Sequence, residues 1–267
     1  MPRVRTGDGV ELFYRDWGTG RPVVFLHGLL MSSAAWQPQL LHLAEHGYRA
    51  IAYDRRGHGR SDDPGRGYDY DTLAADLAAI LDALDLAGVT LVGHSMGGGE
   101  LVRYLTRYGH DRVSQIALVG STVPGLAVDT HAAAALLAQL RGGGYGQWLA
   151  DNAAASFGLK PPATSIPQTE KDRTIRDWMT VSLQAAVECQ QATFAADFAP
   201  ELPALQLPAS VIHGDDDAVA PLERCGLRSA ELLPDARLRV YRNGSHMIHL
   251  SHCQQLNRDL SEFLDEQ

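Results

Sequence analysis

Residues 89–99 read V-T-L-V-G-H-S-M-G-G-G. Val89-Thr90-Leu91-Val92 is a short β-branched and aliphatic run, the mark of a buried strand. Gly93-His94-Ser95-Met96-Gly97 follows, and then Leu101, Tyr104, Leu105 and Tyr108 recur at helical spacing. A G-x-S-x-G between a strand and a helix is the pattern of a nucleophile elbow. The serine there sits in a strained turn, so the residues two before and two after it need almost no side chain. Gly93 and Gly97 meet that need, and Gly98 and Gly99 leave further room for the helix to approach the sheet. A glycine-rich turn with an incidental serine would carry the same letters. The strand before it and the helix after it argue for the elbow.

Outward from this turn, strand-type and helix-type segments alternate. Asp8-Gly9 is a hairpin signal between residues 3–6 and 11–17. Pro22-Val23-Val24-Phe25-Leu26 is continuously apolar, as a strand buried on both faces should be. A helix is expected over 36–46, a strand over 48–53, an amphipathic helix over 70–86 and a strand over 113–119. The alternation then lapses from 120 to 208. Alanine-rich helical pieces at 130–141, 146–155 and 172–194 are separated by Gly142-Gly143-Gly144 and Pro161-Pro162. It resumes with a strand at 209–213, a helix at 221–232, a strand at 236–241 and a closing helix at 251–266. Alternation of this kind implies an α/β fold with a mostly parallel sheet flanked by helices. The expected organisation is a core of residues 1–120 and 209–267, with residues 121–208 inserted as a helical cap. Reactive loops gather at the carboxyl ends of such strands. The loops after Leu26, Val92, Ile212 and Tyr241 should therefore meet.

Bulk properties narrow the function. A chain of 267 residues with 45% hydrophobic and 21% charged side chains fits one large globular α/β domain. A net charge of -9 and the lack of a basic run argue against a nucleic-acid partner. Neither a secretory h-region nor a long apolar span is visible, which points away from the membrane and toward the cytoplasm. Cys189, Cys225 and Cys253 are too few and too scattered for a disulfide framework or a zinc ribbon, and are expected as buried, inert thiols.

A serine hydroxyl needs a base within hydrogen-bond reach before it becomes a useful nucleophile. His246 follows the last strand inside a glycine turn, Asn243-Gly244-Ser245-His246, and is the candidate base. His249 and His252 lie at or inside the start of the closing helix and are expected to be supporting or surface residues. The spacing His246, His249, His252 has no matching carboxylate or cysteine set, so no metal site is assigned. The acid belongs to His213-Gly214-Asp215-Asp216-Asp217, where three adjacent aspartates compete. Two backbone N–H groups should receive the developing oxyanion. Met96 at a helix N-terminus can supply one. Leu29, after His27-Gly28, can supply the other. His27 is read as structural, its ring bonded to loop backbone. The charged loop Asp54-Arg55-Arg56-Gly57-His58-Gly59-Arg60-Ser61 lacks a P-loop lysine and is read as a loop tied down by its own hydrogen bonds.

With these residues assembled, the chain resembles α/β-hydrolase fold serine hydrolases. It is most similar to the branch of arylesterases, perhydrolases and cofactor-free haloperoxidases. The D-R-R-G-x-G-x-S run at 54–61 and the S-M-G-x-G-E run at 95–100 carry the narrower likeness. The G-D-x-D-x-x-x-P pattern at 214–221 is shared by the whole superfamily, as is G-x-S-x-G. The resemblance implies Ser95 as nucleophile, His246 as base and Asp217 as the carboxylate that orients it, with Asp216 its rival and Asp215 a turn-capping residue. It implies a Leu29 and Met96 oxyanion hole, no cofactor, a small-molecule ester as substrate, and a homo-oligomer in many members. Two positions depart from the branch. Leu29-Leu30 stands where an aromatic residue, or an aromatic residue and proline, is common, and His94 where phenylalanine is common. Both weigh toward hydrolysis by water, with perhydrolysis as a side reaction when peroxide replaces water.

The expected activity is carboxylic-ester hydrolysis. A lactonase or a carbon–carbon hydrolase on the same triad is the enzymatic alternative. A small-molecule receptor on a hydrolase fold is the alternative of another class. Trp148, Phe157, Trp178, Met179 and Phe194 could line an apolar pocket, although packing of cap on core accounts for each of them.

Overall fold

The computed structural model describes residues 1–158 and 166–266. Strands β1 (Arg3–Arg5) and β2 (Glu11–Trp17) form the hairpin around Asp8-Gly9, with Val4 opposite Leu12. Then follow β3 (Arg21–Leu26), α1 (Gln37–Glu45), β4 (Tyr48–Tyr53), α2 (Tyr70–Ala83), β5 (Val89–His94), α3 (Met96–Tyr108) and β6 (Val113–Val119). Among the described residues, four α-helices lie between β6 and the next strand: α4 (Thr130–Gln139), α5 (Tyr145–Phe157), α6 (Gln168–Trp178) and α7 (Leu183–Ala195). The chain closes with β7 (Ala209–Gly214), α8 (Gly226–Leu232), β8 (Ala236–Tyr241), α9 (Ile248–Ser251) and α10 (Cys253–Asp265). No helix among the described residues is long and apolar enough to cross a membrane.

The eight strands form one sheet in the order β1-β2-β4-β3-β5-β6-β7-β8. Only the β1–β2 and β2–β4 pairings are antiparallel. Side chains alternate across the sheet with a period of two. Val24, Leu26, Leu91, Ile116, Leu118 and Val211 face one layer, which includes Leu73, Leu77 and Leu81 of α2 and Leu101 and Leu105 of α3. Val23, Phe25, Val92, Ala117, Val119 and Ile212 face the other, against α1 and α10. Leu256, Leu260, Phe263 and Leu264 form the buried stripe of α10. At roughly 1.5–3 kcal/mol for each fully buried large apolar side chain, that stripe anchors the closing helix.

Register brings the ends of the parallel strands level. Leu26 pairs beside Gly93, His94 beside Val119, Val119 beside Ile212, and Gly214 beside Tyr241. Every loop expected to be reactive therefore starts from one edge of the sheet.

Several boundaries differ from the sequence reading. The expected helix over 172–194 is two helices. Thr180 N–H turns back to Asp177 O, and Ser182 Oγ caps the new helix by accepting from Ala185 N–H at 3.2 Å. The helix expected from Pro221 begins at Gly226, because Leu227 N–H bonds Leu222 O five residues back and breaks the α-helical ladder. The closing helix is interrupted at His252 and starts earlier, at Ile248. Gly142-Gly143-Gly144 does not separate two pieces cleanly: a wide turn over Leu140–Gly144 joins α4 to α5, with Gly143 at φ 100°. The Pro161-Pro162 break lies outside the described residues. Cys189 and Cys225 are buried as expected, but Cys253 is only half-buried.

The loop after β4 is held more from outside than from within. Asp54 does cap its own loop, accepting from Arg60 N–H at 2.8 Å. Its other oxygen accepts from Ser33 N–H at 2.7 Å. Arg55 is buried and donates to Glu100 of α3 through Nε and Nη2, at 2.9 and 2.7 Å. Its Nη2 also donates to His27 O at 2.6 Å, and Tyr53 OH donates to the second Glu100 oxygen. Arg56 is likewise buried, between Asp76 and Asp8. Removing one partner of a buried pair leaves an uncompensated charge, at a cost of about 3–5 kcal/mol. Glu100→Ala is expected to lower the unfolding free energy by about that amount, read from urea midpoints. A loss below about 1 kcal/mol would show that Arg55 finds another counter-charge.

Candidate active site

Ser95 occupies the turn between β5 and α3 with φ 53° and ψ -123°. That conformation is costly for a residue with a Cβ, on the order of 1–3 kcal/mol. The surroundings hold it in place. Ser95 N–H donates to Val119 O at 3.3 Å, and its carbonyl accepts from Gly98 N–H and Thr122 N–H at 3.1 and 3.3 Å. A Cβ on Gly97 would stand 2.5 Å from Leu26 O, and one on Gly93 would stand 2.6 Å from Gly97 O. Gly98 lets the helix approach β6, where a Cβ would meet the Ser121 hydroxyl and the Leu118 side chain, whereas Gly99 clears the rings of Phe198 and Tyr70 instead of the sheet.

His246, from the loop between β8 and α9, reaches Ser95 from above the sheet. Its Nε2 lies 2.9 Å from Ser95 Oγ. Its Nδ1 lies 2.8 Å from Asp217 Oδ2. With Nδ1–H donating to the carboxylate, Nε2 is left to accept the serine proton. Asp217 Oδ1 accepts from Val219 N–H and Ala220 N–H at 2.9 and 2.8 Å. The turn-capping expected of Asp215 is thus made by Asp217 itself. Asp216 contributes its N–H to Gly244 O at 2.9 Å, which ties the acid loop to the base loop. Burial pushes the Asp217 carboxyl up, but the His246 ring, its hydrogen bond and the nearby His213 hold it below its ordinary range. Asp217 therefore stays ionised beside the imidazole.

Leu29 and Met96 share a cavity with Ser95 and His246, walled also by Met31 and Trp178. Among the described residues, no protein acceptor takes the N–H of Leu29 or of Met96. The loop carrying Leu29 is itself strained, with Leu30 buried at φ 67°. His27 anchors it: Nδ1 lies 2.8 Å from Gly28 O, and Nε2 accepts from Arg55 N–H at 2.9 Å. Of the five cap residues named from sequence, Trp178 reaches the cavity, and Met179 is 66% exposed. Trp148 and Phe157 are buried, Phe157 stacked on Trp178 at 5.7 Å. Phe194 lines a groove beside α4, away from Ser95. No group of three metal-ligating side chains occurs among the described residues.

Two features escaped the sequence reading. The Arg55–Glu100 pair joins two runs that the sequence shows forty-five residues apart. His94 is buried beneath the triad, with its Nε2–H donating to the backbone carbonyl of His246 at 2.9 Å. His249 takes the supporting alternative expected for it: it is buried, with its ring 4.7 Å from His94 and 5.4 Å from Trp36. His252 is half-buried. A histidine gives no sequence signal of burial, because its polarity averages over both settings.

Burial holds four of these histidines neutral. It is the largest cause of a lowered pKa at His27 and His58, where Arg55 adds to it, and at His94 and His249, where neighbouring imidazoles add to it. His58 and His249 are pushed down to about 3. An unfolded histidine titrates near about 6.5. Below that pH the unfolded chain takes up protons that the folded chain refuses, so stability falls with pH. Each histidine contributes up to about 1.4 kcal/mol per pH unit. For these four histidines the unfolding free energy is expected to drop by about 5 kcal/mol between pH 6 and pH 5, measured by urea titration. A flat profile over that interval would mean that these rings are protonated in the fold.

Residues 21–171 match the alpha/beta hydrolase fold family. The chain is 41% identical to a non-heme chloroperoxidase of Kitasatospora aureofaciens, over 100% of both chains. It is 34% identical to a bifunctional esterase/perhydrolase of Acinetobacter calcoaceticus, over 99% of both. The solved structure of a bromoperoxidase from Bacillus anthracis superposes with a TM-score of 0.94 at 32% identity, covering 99% of each chain. With the family match spanning more than half of its length, and the relatives spanning all of it, this chain belongs to the alpha/beta hydrolase fold family.

Proposed function

We propose that this enzyme hydrolyses small to medium carboxylic esters through an acyl-serine intermediate, with Ser95, His246 and Asp217 as its catalytic triad. One observation carries the reading: Ser95 Oγ, both nitrogens of His246 and Asp217 Oδ2 form a continuous chain at 2.9 and 2.8 Å. Ser95 Oγ attacks the ester carbonyl carbon while its proton passes to His246 Nε2. The carbonyl electron pair moves to oxygen, where the Leu29 and Met96 amides receive it. Loss of one such donor typically costs about 2.7–4 kcal/mol of barrier. Asp217 stabilises the imidazolium and keeps the ring in its useful tautomer. Collapse breaks the bond to the alcohol oxygen, which leaves with the proton from His246. Water then attacks the acyl carbon, giving its proton to His246. The second collapse releases the acid and returns the proton to Ser95.

The helices between β6 and β7, within residues 121–208, form the cap in this reading, over a core of 1–120 and 209–267. The cytoplasm is the compartment we favour, supported by three free cysteines of which two are buried. The relatives' names support a second acceptor. Hydrogen peroxide attacking the same acyl-enzyme would yield a peracid, and one relative is named a bifunctional esterase/perhydrolase. Leu29-Leu30 and His94 weigh toward water as the main acceptor.

Ser95→Ala is expected to lower p-nitrophenyl acetate turnover by at least about 10⁴-fold, and Asp217→Asn by about 10⁴-fold in kcat. A fluorophosphonate should label Ser95 in the wild type. Undiminished turnover in Ser95→Ala, or a label on another residue, would overturn the assignment. Stoichiometric ligand binding without product release across an ester and lactone panel would favour a receptor instead.

A further inference from the structure

The cavity above Ser95 is narrow, about 40 Å³ in volume. That is well below the roughly 300–1,000 Å³ of drug-sized ligand pockets, so only a short acyl group fits. Besides Ser95 and His246, its apolar wall is interrupted by five uncharged polar side chains: Thr122, Asn152, Ser156, Gln190 and Thr193. They come from three elements. Thr122 lies just beyond β6, Asn152 and Ser156 are one turn apart on α5, and Gln190 and Thr193 are on α7. A spacing of four on α5 puts both of its polar groups on one face. That face is otherwise the packing face of the helix, with Trp148, Ala153 and Phe157 buried around them.

Four of these groups are not part of the scaffold's hydrogen bonding. Ser156 is 2% exposed and Thr122 is 5% exposed. Among the described residues, no side-chain hydrogen bond engages Thr122, Asn152, Ser156 or Gln190. Thr193 differs from the other four: its hydroxyl already donates to Cys189 O at 2.9 Å. A buried polar group without a partner costs about 1–3 kcal/mol, so an apolar substrate that displaced the water from these four would be penalised. No lysine, arginine, aspartate or glutamate lines the cavity. A charged substituent would therefore enter with no counter-ion.

Resting on the ester-hydrolase reading above, we propose that this cavity selects short acyl groups carrying a neutral hydrogen-bonding substituent. Esters of small hydroxy or oxo acids are the class it fits. Thr122, Asn152, Ser156 and Gln190 act as specificity residues by binding that substituent. The apolar wall of Met31, Leu126, Trp178 and Val219 holds the carbon chain.

The test compares near-isosteric ester pairs on the whole enzyme. Racemic methyl 3-hydroxybutanoate is set against methyl 3-methylbutanoate, and methyl lactate against methyl 2-methylpropanoate. In each pair a hydroxyl replaces a methyl group. The hydroxy ester is expected to be preferred by at least about 10-fold in kcat/KM in one pair or both, the worth of one good hydrogen bond. Asn152→Leu combined with Gln190→Leu is expected to bring that ratio to about one or below. Equal or reversed preference in the wild type for both pairs overturns the proposal without needing any variant to fold. A preference that survives in a folded double variant removes these side chains from the assignment and overturns it as well. If p-nitrophenyl acetate is turned over while both ratios sit at or below one, the ester reading stands and the specificity proposal fails. If no ester is turned over, both fail.

Discussion

The site depends on one close approach. Helix α3 runs so near the end of β3 that a Cβ at Gly97 would overlap the carbonyl of Leu26. This contact lets the helix begin immediately after β5 and forces Ser95 into a left-handed turn. The turn lifts the hydroxyl out of the sheet edge and leaves the Met96 N–H as an unclaimed donor at the helix start. The strain at Ser95 is tolerated because its backbone is bonded on both sides, to Val119, Gly98 and Thr122. Those bonds come from β6 and the loop after it, so the turn is held by the sheet and not by its own residues.

A second set of constraints stiffens the loops around the turn. Glu100, one helical turn beyond the nucleophile, takes the charge of Arg55, and Arg55 holds the carbonyl of His27. The loop that presents Leu29 is thus tied through a buried ion pair to the helix that presents Met96. Buried pairs of this kind are weak sources of net stability, because desolvation offsets much of the attraction. Here the pair spans β4, α3 and the loop after β3. Its structural effect is to fix the relative positions of the two unclaimed amides.

The base is held in a similar way. His94 grips the backbone of His246 from below, while Asp217 grips its ring from the side. Burial keeps His94 neutral, so it supports the loop without placing a second positive charge beneath the imidazole. The carboxylate and the imidazole can then respond to each other and to the substrate. Water is excluded beneath the ring by Trp36, His94 and His249, which are all buried.

Much of this was legible in the chain. The apolar runs, their alternation with amphipathic helices, and the glycine spacing around Ser95 follow from local steric and solvation rules, which act on neighbours in sequence. Those rules placed the strands nearly to the residue and singled out Ser95 and His246. Among three adjacent aspartates local rules alone could not choose, since each has the same local character. The G-D-x-D-x-x-x-P resemblance at 214–221 makes the choice of Asp217. The fold gives that choice a physical reason in reach: Asp217 faces His246 with one oxygen and caps its own turn with the other. The pairing of Arg55 with Glu100, the burial of His94, and the polar lining from α5 and α7 were invisible for the same reason. Each depends on which segments meet across the sheet. That meeting is set by strand order and register, which no local pattern of residues encodes.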